Sequence, residues 1–394
     1  MIRLFFKTIW NNRRRNILVF IELFMISLVM VNLTVYLINM YTIFKIKNCY
    51  DTHNVVLIQI RMKSDEDEKI SEQAFQNLKK VLSSNSFVTS VSICNNSIPY
   101  NYFTWRTEFK HDSDRIGMDP RLADIDYAKV MKIKLLKGRW FDETDLAKEV
   151  LPMTISRDVD ETDFHGEGLG KRLKMDDKTY EVIGVTDRFK RSEIETPDSF
   201  GFLMKEKIDA KKYYGADILI RTEDNKSGVL LAIAESQVYS TLNPGNWTID
   251  SLNSLENMRN QQNGESYQRN YITVIIALFI MINIFLGTIG ILWYNSNLRI
   301  HEIGIRRALG STGNGIKKLL IAENMVLAGL SLLIVIIIMM QIPVIATGSK
   351  PEPGVVIWSI WTSVAVMVIL VVLSTWIPAS LASKIRPAIA LKTE

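Results

Sequence analysis

The sequence predicts an α+β membrane protein, with four transmembrane helices and a large two-lobed α+β extracytoplasmic domain inserted between helices 1 and 2. Three observations favour this fold class. Four long runs of residues carry almost no charge, a polar stretch at residues 41–270 separates the first run from the second, and basic residues cluster beside the runs. This uneven distribution indicates a membrane part and a separate folded domain.

Each apolar run is long enough to cross the hydrocarbon core of a bilayer, which needs about 20 helical residues. The predicted transmembrane helices are residues 17–40, 271–294, 319–342 and 355–377. The first run is longer than the apolar region of a signal peptide, and no small-residue cleavage site follows it. We therefore expect it to remain as a membrane anchor.

Basic residues beside the spans predict the orientation, because Lys and Arg in short flanking segments stay on the cytoplasmic side. They are Arg13, Arg14 and Arg15 before the first span, Arg299, Arg306, Arg307, Lys317 and Lys318 after the second, and Lys384 and Arg386 after the fourth. Residues 1–16, 295–318 and 378–394 are expected inside, and residues 41–270 and the loop 343–354 outside. Because each basic cluster adjoins a span, no binding of nucleic acid is expected.

The outer domain contains two strand–helix–strand patterns that suggest one α+β lobe. The first pattern has strands at 55–60 and 88–93 around a helix at 68–82, and the second has strands at 218–221 and 247–249 around a helix at 227–242. A β-rich second lobe is predicted between residues 100 and 205. A polar helix at 252–270 and the segment 41–49 are expected to be stalks that continue into the spans.

Cys49 and Cys94 both fall in the outer domain, where a disulfide could persist, and two buried thiols are an equal alternative. The histidines are scattered without ligand spacing, and the acidic run at 65–68 is typical of a solvated helix start. The sequence therefore predicts no metal centre.

The stretch 310–317 (GSTGNGIK) has the glycine content of a phosphate-binding loop but not its decisive residues. Ile316 separates the glycine from Lys317, and Lys318 stands where a hydroxyl residue would be needed. No other catalytic fingerprint is present. We expect a non-catalytic chain that holds no cofactor.

Two carboxylates lie inside the predicted spans, Glu22 in the first and Glu323 in the third. Each is about five residues, ~7 Å at 1.5 Å per residue, from the cytoplasmic end of its span. A charge inside the membrane is costly and is a functional hypothesis by default. At this depth, extension of the side chain to the interface is an equal alternative.

The segment 295–318 contains a predicted amphipathic helix. Arg299, Glu302 and Arg306 have the spacing of one helix face, and Glu302 and Arg306 are placed for an ion pair. Gly304 and Gly310 leave room for close approach. One interpretation is a loop that only sets the orientation of the spans. The other is a charged surface on which a cytoplasmic partner docks.

These residues carry a resemblance to a known family. Residues 299–323, beginning RIHEIGIRRALGST, resemble the signature of the FtsX-like permeases, the membrane subunits of MacB-type ABC transporters. The end of the chain, with Pro378, Pro387 and Leu391, is similar to the C-terminal signature of that family. In the outer domain, LKGRWF at 136–141 with Asp145, GKRL at 170–173 and YEVIGVTD at 180–187 resemble the MacB-like periplasmic core domain.

The resemblance implies a permease of the bacterial inner membrane that works by mechanotransmission. An ABC ATPase subunit dimer would bind the cytoplasmic side and hold the ATP, and only residues 1–16 precede the first span, so the ATPase is expected to be a separate chain. The coupling residues would be Arg299, Glu302, Gly304, Arg306, Arg307 and Gly310. Residues 1–16 would form an amphipathic helix on the membrane surface.

The family also implies a second permease copy or a homologous permease, and a periplasmic or outer-membrane partner. The expected task is export or extraction of a substrate such as a peptide, a lipoprotein or an antibiotic. One alternative is an FtsX-like regulatory permease that activates a periplasmic cell-wall hydrolase. Another is a membrane sensor without an ATPase, in which Glu302 and Arg306 would tolerate alanine.

Overall fold

The computed structural model describes residues 13–62, 72–101, 105–193, 195–205, 215–242, 247–346 and 353–383. The chain divides into two compact units. One unit is Met1–Thr42 with Gln268–Glu394, which contains the apolar helices, and the other is the outer domain, Ile43–Tyr267. Within the described ranges four helices are long and apolar enough to cross a membrane. The predicted fold class, with an α+β domain between the first and second of these helices, is confirmed.

The elements follow one another along the chain without large unstructured stretches in the described parts. The helices are α1 (Arg13–Lys45), α2 (Glu72–Ser83), α3 (Tyr127–Met131), α4 (Arg157–Asp163), α5 (Ser227–Thr241), α6 (Leu255–Leu298), α7 (Ile300–Ala308), α8 (Gly313–Ala346) and α9 (Pro353–Ser383). The strands are β1 (Val55–Met62), β2 (Val88–Cys94), β3 (Thr107–His111), β4 (Asp114–Ala123), β5 (Leu135–Gly138), β6 (Leu151–Ser156), β7 (Arg172–Met175), β8 (Lys178–Thr186), β9 (Phe200–Met204), β10 (Gly215–Thr222) and β11 (Trp247–Ser254).

In the helical unit, α1 contacts each of the other long helices through polar side chains. Ser27 Oγ lies 3.1 Å from Ser331 Oγ of α8, and Thr34 Oγ1 lies 2.6 Å from a serine hydroxyl of α9. Tyr36 donates a hydrogen bond of 2.5 Å to Asn270 of α6. Between these contacts, apolar residues of α1, α8 and α9 form one buried cluster. Hydroxyl pairs of this kind hold helices together where no water competes for them.

The first lobe of the outer domain is a four-stranded antiparallel sheet with the order β11-β1-β10-β2. Strand β1 is apolar almost throughout because both of its faces are buried. Val56, Ile58 and Ile60 pack with apolar residues of α2 and α5, whereas Val55 and Leu57 point into a second core. This alternation follows from the two-residue period of a strand.

The second lobe is a seven-stranded mixed sheet with the order β5-β8-β6-β9-β4-β3-β7, and β7 also pairs with β8, so the sheet closes on itself. The two lobes share buried polar contacts. Arg221 of β10 donates to the carbonyls of Val130, His53 and Asp51. The Asp124 carboxylate accepts from Ser92 Oγ and from other groups of the first lobe.

One expectation from the sequence needs correction. The helix predicted at 252–270 begins at Leu255, because β11 continues to Ser254 and pairs with β1, where Leu252 lies opposite Ile58. Sheet pairing thus outweighs the helical pattern at the start of this segment. The helix predicted in segment 295–318 is present as α7, and the beginning of α8 also falls in this segment.

The two cysteines are buried free thiols, so the alternative of a disulfide is excluded in this structure. Some predictions fall on residues outside the described ranges. These are most of the helix at 1–16, the helix start at 65–68, the middle of the loop 343–354, and the tail residues Pro387 and Leu391.

Candidate functional site

One of the residues singled out in segment 295–318, Arg299, forms a buried ion pair. Arg299, directly before α7, holds Glu323 of α8 with both guanidinium nitrogens, and the Nη2–Oε1 distance is 2.8 Å. Both side chains are less than a tenth exposed, at 9% and 7%. The fork geometry of two parallel charge-assisted hydrogen bonds fixes direction as well as distance. This contact braces the start of α7 against α8.

Glu302 and Arg306 form the predicted pair one turn apart, with an Oε1–Nη2 distance of 2.7 Å. Both side chains are partly exposed, at 38% and 37%. The spacing predicted that Arg299 lies on the same exposed face as Glu302 and Arg306, and this prediction is wrong. Arg299 precedes the first helical turn of α7, with backbone angles of −100° and 10°, and its side chain is buried.

The end of α7 is set by Gly310, whose φ is +95°. The Gly310 N–H donates to the Arg307 carbonyl at 3.1 Å, and the Ser311 N–H donates to the Arg306 carbonyl at 3.0 Å. This is the Schellman arrangement, which needs a residue with positive φ directly after the helix. Glycine meets that need without strain.

The next helix, α8, starts with its own cap. Thr312 Oγ1 accepts a hydrogen bond of 3.1 Å from the Gly315 N–H. A hydroxyl at this position satisfies one of the free N–H groups of the first turn. The glycine-rich stretch that resembles a phosphate loop therefore ends one helix and begins another.

The inner face of α7 packs against α8 and α9. Ile303 lies in a small buried cluster with Ile316, Leu320 and Ala379. Gly304 is buried, and Pro378, the described residue of the C-terminal signature, lies inside α9 beside Ala379. This part of the signature therefore supplies the surface on which α7 rests.

The solvent-exposed face of α7, here called its outer face, carries two apolar residues that were not predicted from the sequence. Ile305 is 41% exposed and Leu309 is 82% exposed. They are four residues apart, so they form a ridge on the face opposite Ile303. Arg306 lies beside this ridge, whereas Arg307 follows Ile303 by one turn and lies on the other side of the helix. The spacing of Ile305 and Leu309 within IGIRRAL was the signal that could have identified it.

The second intramembrane carboxylate has a different partner. Glu22 of α1 hydrogen-bonds Thr288 of α6. A Cβ atom added at Gly287 would lie 2.8 Å from Glu22 Oε1, so the glycine makes room for the carboxyl group. Glu22 Oε2 is buried without a hydrogen-bond partner among the described residues. The carboxyl group is therefore held between two helices.

Two protein families match the chain. The family described as the MacB-like periplasmic core domain matches residues 25–236, and the one described as FtsX-like permease C-terminal matches residues 274–387. The chain belongs to the FtsX-like permeases with a MacB-like periplasmic core domain. It is therefore a membrane permease of the MacB/FtsX type of ABC transporter, with an extracellular domain, and proteins of this family are generally non-catalytic transporter subunits.

The permease is 24% identical over 279 residues to the protein named uncharacterized ABC transporter permease YknZ from Bacillus subtilis (strain 168), and the match covers 68% of each chain. It is also similar to the periplasmic region of MacB from Actinobacillus actinomycetemcomitans, at 13% identity, 53% of this chain, 92% of that chain and a TM-score of 0.40. The extracellular domain of YknZ from Gram-positive bacteria matches at 17% identity with a TM-score of 0.36. This match covers 50% of this chain and 100% of that domain.

In the outer domain of the permease, the GRWF motif builds a rigid turn. Arg139 holds Asp145 through two hydrogen bonds of 2.7 Å, and Lys148 Nζ lies 2.7 Å from the same carboxylate. These contacts, and most of all the hydrogen bonds from Arg139, lower the pKa of Asp145 well below its ordinary value. Gly138 has a φ of +70°, and a Cβ there would lie 2.2 Å from the Ile183 carbonyl. The charged hydrogen bonds and the close backbone approach at Gly138 thus hold the shape of this turn.

The described part of the permease contains no group of three or more His, Cys, Asp or Glu side chains that could hold a metal ion. The chemically distinctive groups are instead ion pairs and helix ends.

Proposed function

We propose that this permease couples ATP hydrolysis by a separate ATPase subunit to conformational change of its outer domain, for export or extraction of a substrate. The observation that supports this proposal is the way in which α7 is packed. Its inner face is fastened to α8 and α9, while its outer face presents Ile305 and Leu309. A helix that is packed on one side and exposes an apolar ridge on the other can bind a partner and pass the partner's movement to the helices behind it.

The ridge has the character of a helix-in-groove contact. A single exposed leucine is ordinary, but an apolar pair at one-turn spacing is the usual anchor of a helix that lies in a groove. Arg306 beside it favours a groove with an acidic rim. We expect this groove on an ABC ATPase subunit, two copies of which bind the ATP, so that the permease itself needs no cofactor.

Force applied to α7 has a direct route into the membrane helices. The Arg299–Glu323 pair transmits it to α8, and Ile303 transmits it to α9 through Ala379. Helix α6 ends just before Arg299 and runs without a break from the outer domain, as Leu255–Leu298. An unbroken helix moves as a stiff rod because its backbone hydrogen bonds continue across the interface.

The proposed setting is the bacterial inner membrane, with both termini in the cytoplasm and a second permease copy or a homologous permease alongside. A periplasmic or outer-membrane partner would receive the movement. The match of residues 25–236 to the MacB-like core domain supports a transporter over a regulator of a cell-wall hydrolase.

The test is a pull-down of the full-length permease with a co-expressed ABC ATPase. Leu309→Glu places a charge on the ridge and is expected to abolish recovery of the ATPase. Leu169→Glu is the matched control, because Leu169 is also an exposed leucine but lies in the outer domain. Full recovery of the ATPase with the Leu309 variant would contradict the proposal.

A second comparison separates this proposal from the sensor without an ATPase. The Glu302–Arg306 pair is partly exposed, so it contributes only about 0.3–0.5 kcal/mol to stability. Alanine at either position therefore leaves the fold intact. Loss of ATPase stimulation in these variants supports partner contact through this pair, whereas absence of any stimulation by the wild-type permease supports the sensor.

A further inference from the structure

Residues 187–193, between β8 and β9, touch the outer ends of both helices that continue into the membrane. We propose that Lys190 is a positioning residue that fastens the last turn of α1 to the second lobe, and that residues 187–193 form the joint through which helix movement enters the outer domain. This inference rests on the proposed function, in which α1 and α6 carry movement. All the contacts described below lie within the outer-domain unit, Ile43–Tyr267.

Lys190 makes the central contact. Its ammonium Nζ donates to the Ile43 carbonyl at 3.1 Å and to the Glu193 carbonyl at 3.2 Å. Ile43 belongs to the last turn of α1, and its carbonyl also accepts a hydrogen bond of 3.1 Å from the Ile46 N–H directly after the helix. A cation at this end also matches the negative pole of the helix dipole. Lys190 thus caps α1 from a distant part of the chain.

The burial of this lysine argues for a specific role. The residue is only 2% exposed. Burial lowers the pKa of Lys190, and the negative charge of the nearby Glu193 carboxylate partly offsets this decrease. A buried ammonium group is costly unless its hydrogen bonds are satisfied. A long apolar side chain would fill the same space at lower cost, but it would not bind the end of α1.

The chain directly after α1 is bound to the same segment. The Cys49 N–H donates to the Arg188 carbonyl at 2.8 Å, and the Tyr50 hydroxyl donates to the Lys190 carbonyl at 2.6 Å. The Tyr50 ring packs on Phe189, with centroids 4.5 Å apart. Movement of the end of α1 therefore reaches residues 188–190 through three kinds of contact.

The joint is in turn anchored in the second lobe. Arg191 pairs with Asp119 of β4 at 3.0 Å and with Asp198 at 2.5 Å. Arg188 pairs with Asp158 of α4 at 2.8 Å. Toward the other helix, Glu193 lies 3.9 Å from Arg259 of α6. The short segment thus connects two helix ends to a folded lobe.

The decisive measurement is hydrogen–deuterium exchange of the full-length permease in lipid nanodiscs. Lys190→Met keeps the length of the side chain and removes the ammonium group. We expect residues 43–51 to exchange roughly tenfold faster, the usual effect of losing one hydrogen bond to a charged group. Strands β6 and β8 should keep their protection. Lys190→Arg, which retains a donor, should restore much of the protection at 43–51.

Lys148→Met is the matched control, because Lys148 also pairs through its ammonium group but lies at the GRWF turn. It should leave residues 43–51 unchanged. Unaltered exchange at 43–51 in the Lys190→Met permease would overturn the proposal. Loss of protection throughout β6 and β8 would overturn it too, because Lys190 would then support the whole domain rather than a joint.

A coupled assay tests the role in transmission. With a bound ATPase, the Lys190→Met permease should retain ATP hydrolysis and lose the ATP-dependent change in exchange of the second lobe. Retention of that change would overturn the role of Lys190. If the wild-type permease recruits no ATPase, the proposed function fails instead, and the exchange comparison on the permease alone still decides whether Lys190 fastens α1.

Discussion

Glutamine at position 323 would leave the Arg299 guanidinium buried without its counter-charge. Two unit charges about 4 Å apart attract by ~4 kcal/mol at an effective dielectric constant of ~20. Removing one partner of a buried pair costs about 3–5 kcal/mol, because the remaining charge stays desolvated. The pair is bidentate and both side chains are buried. We therefore expect Glu323→Gln to lower the free energy of unfolding by about 3–5 kcal/mol.

The assay is a double-mutant cycle on the purified permease, with unfolding followed in mixed micelles. Arg299→Met alone should cost a similar amount, whereas Arg299→Met combined with Glu323→Leu should cost much less than the sum, since no buried charge is left. Glu302→Gln, which breaks the exposed pair, should cost only about 0.3–0.5 kcal/mol. Additive effects of the two buried substitutions would refute the reasoning.

Gly310→Ala should cost about 1–2 kcal/mol in the same unfolding assay, because a φ of +95° is unfavourable for a residue with a Cβ. Gly264→Ala, inside α6 with nothing within 4 Å of the added atom, should be neutral or stabilising, and equal effects at the two glycines would contradict this account. The lowered pKa of Asp145 predicts acid sensitivity: its contribution is complete above the unfolded pKa of about 3.9 and falls as the pH drops toward the folded value. Between pH 5 and pH 3, thermal unfolding of the wild-type permease should therefore shift more than that of Asp145→Asn, and parallel shifts would exclude the carboxylate as the cause.

Local patterns predicted the parts of the permease that depend on neighbours in the sequence. The helix at α7 and the Glu302–Arg306 pair follow from residues within two turns of one another. The apolar runs likewise identified the four long helices, because hydropathy is a property of a continuous segment. The predicted helix start at Leu252 was wrong for the opposite reason. That residue pairs with β1, which lies far away in the sequence.

The candidate site shows the same division. Arg299 and Glu323 were each noted, but as members of separate groups, and only the fold brings them together. No local sequence pattern identifies Lys190, because its partner Ile43 lies 147 residues earlier in the chain. Ile305 and Leu309 could have been identified as a pair. Their exposure, however, depends on which face of α7 packs against α8 and α9.

The amino-acid sequence by itself determined the number of apolar helices, the insertion of an α+β domain after the first one, and the family signatures at 299–323 and in the outer domain. The tertiary structure alone decided which charges are buried together, which face of α7 is free, and what caps the end of α1. The physical reason is that helix period and hydropathy act over a few residues. A buried ion pair or a distant cap exists only after packing has excluded water from both partners.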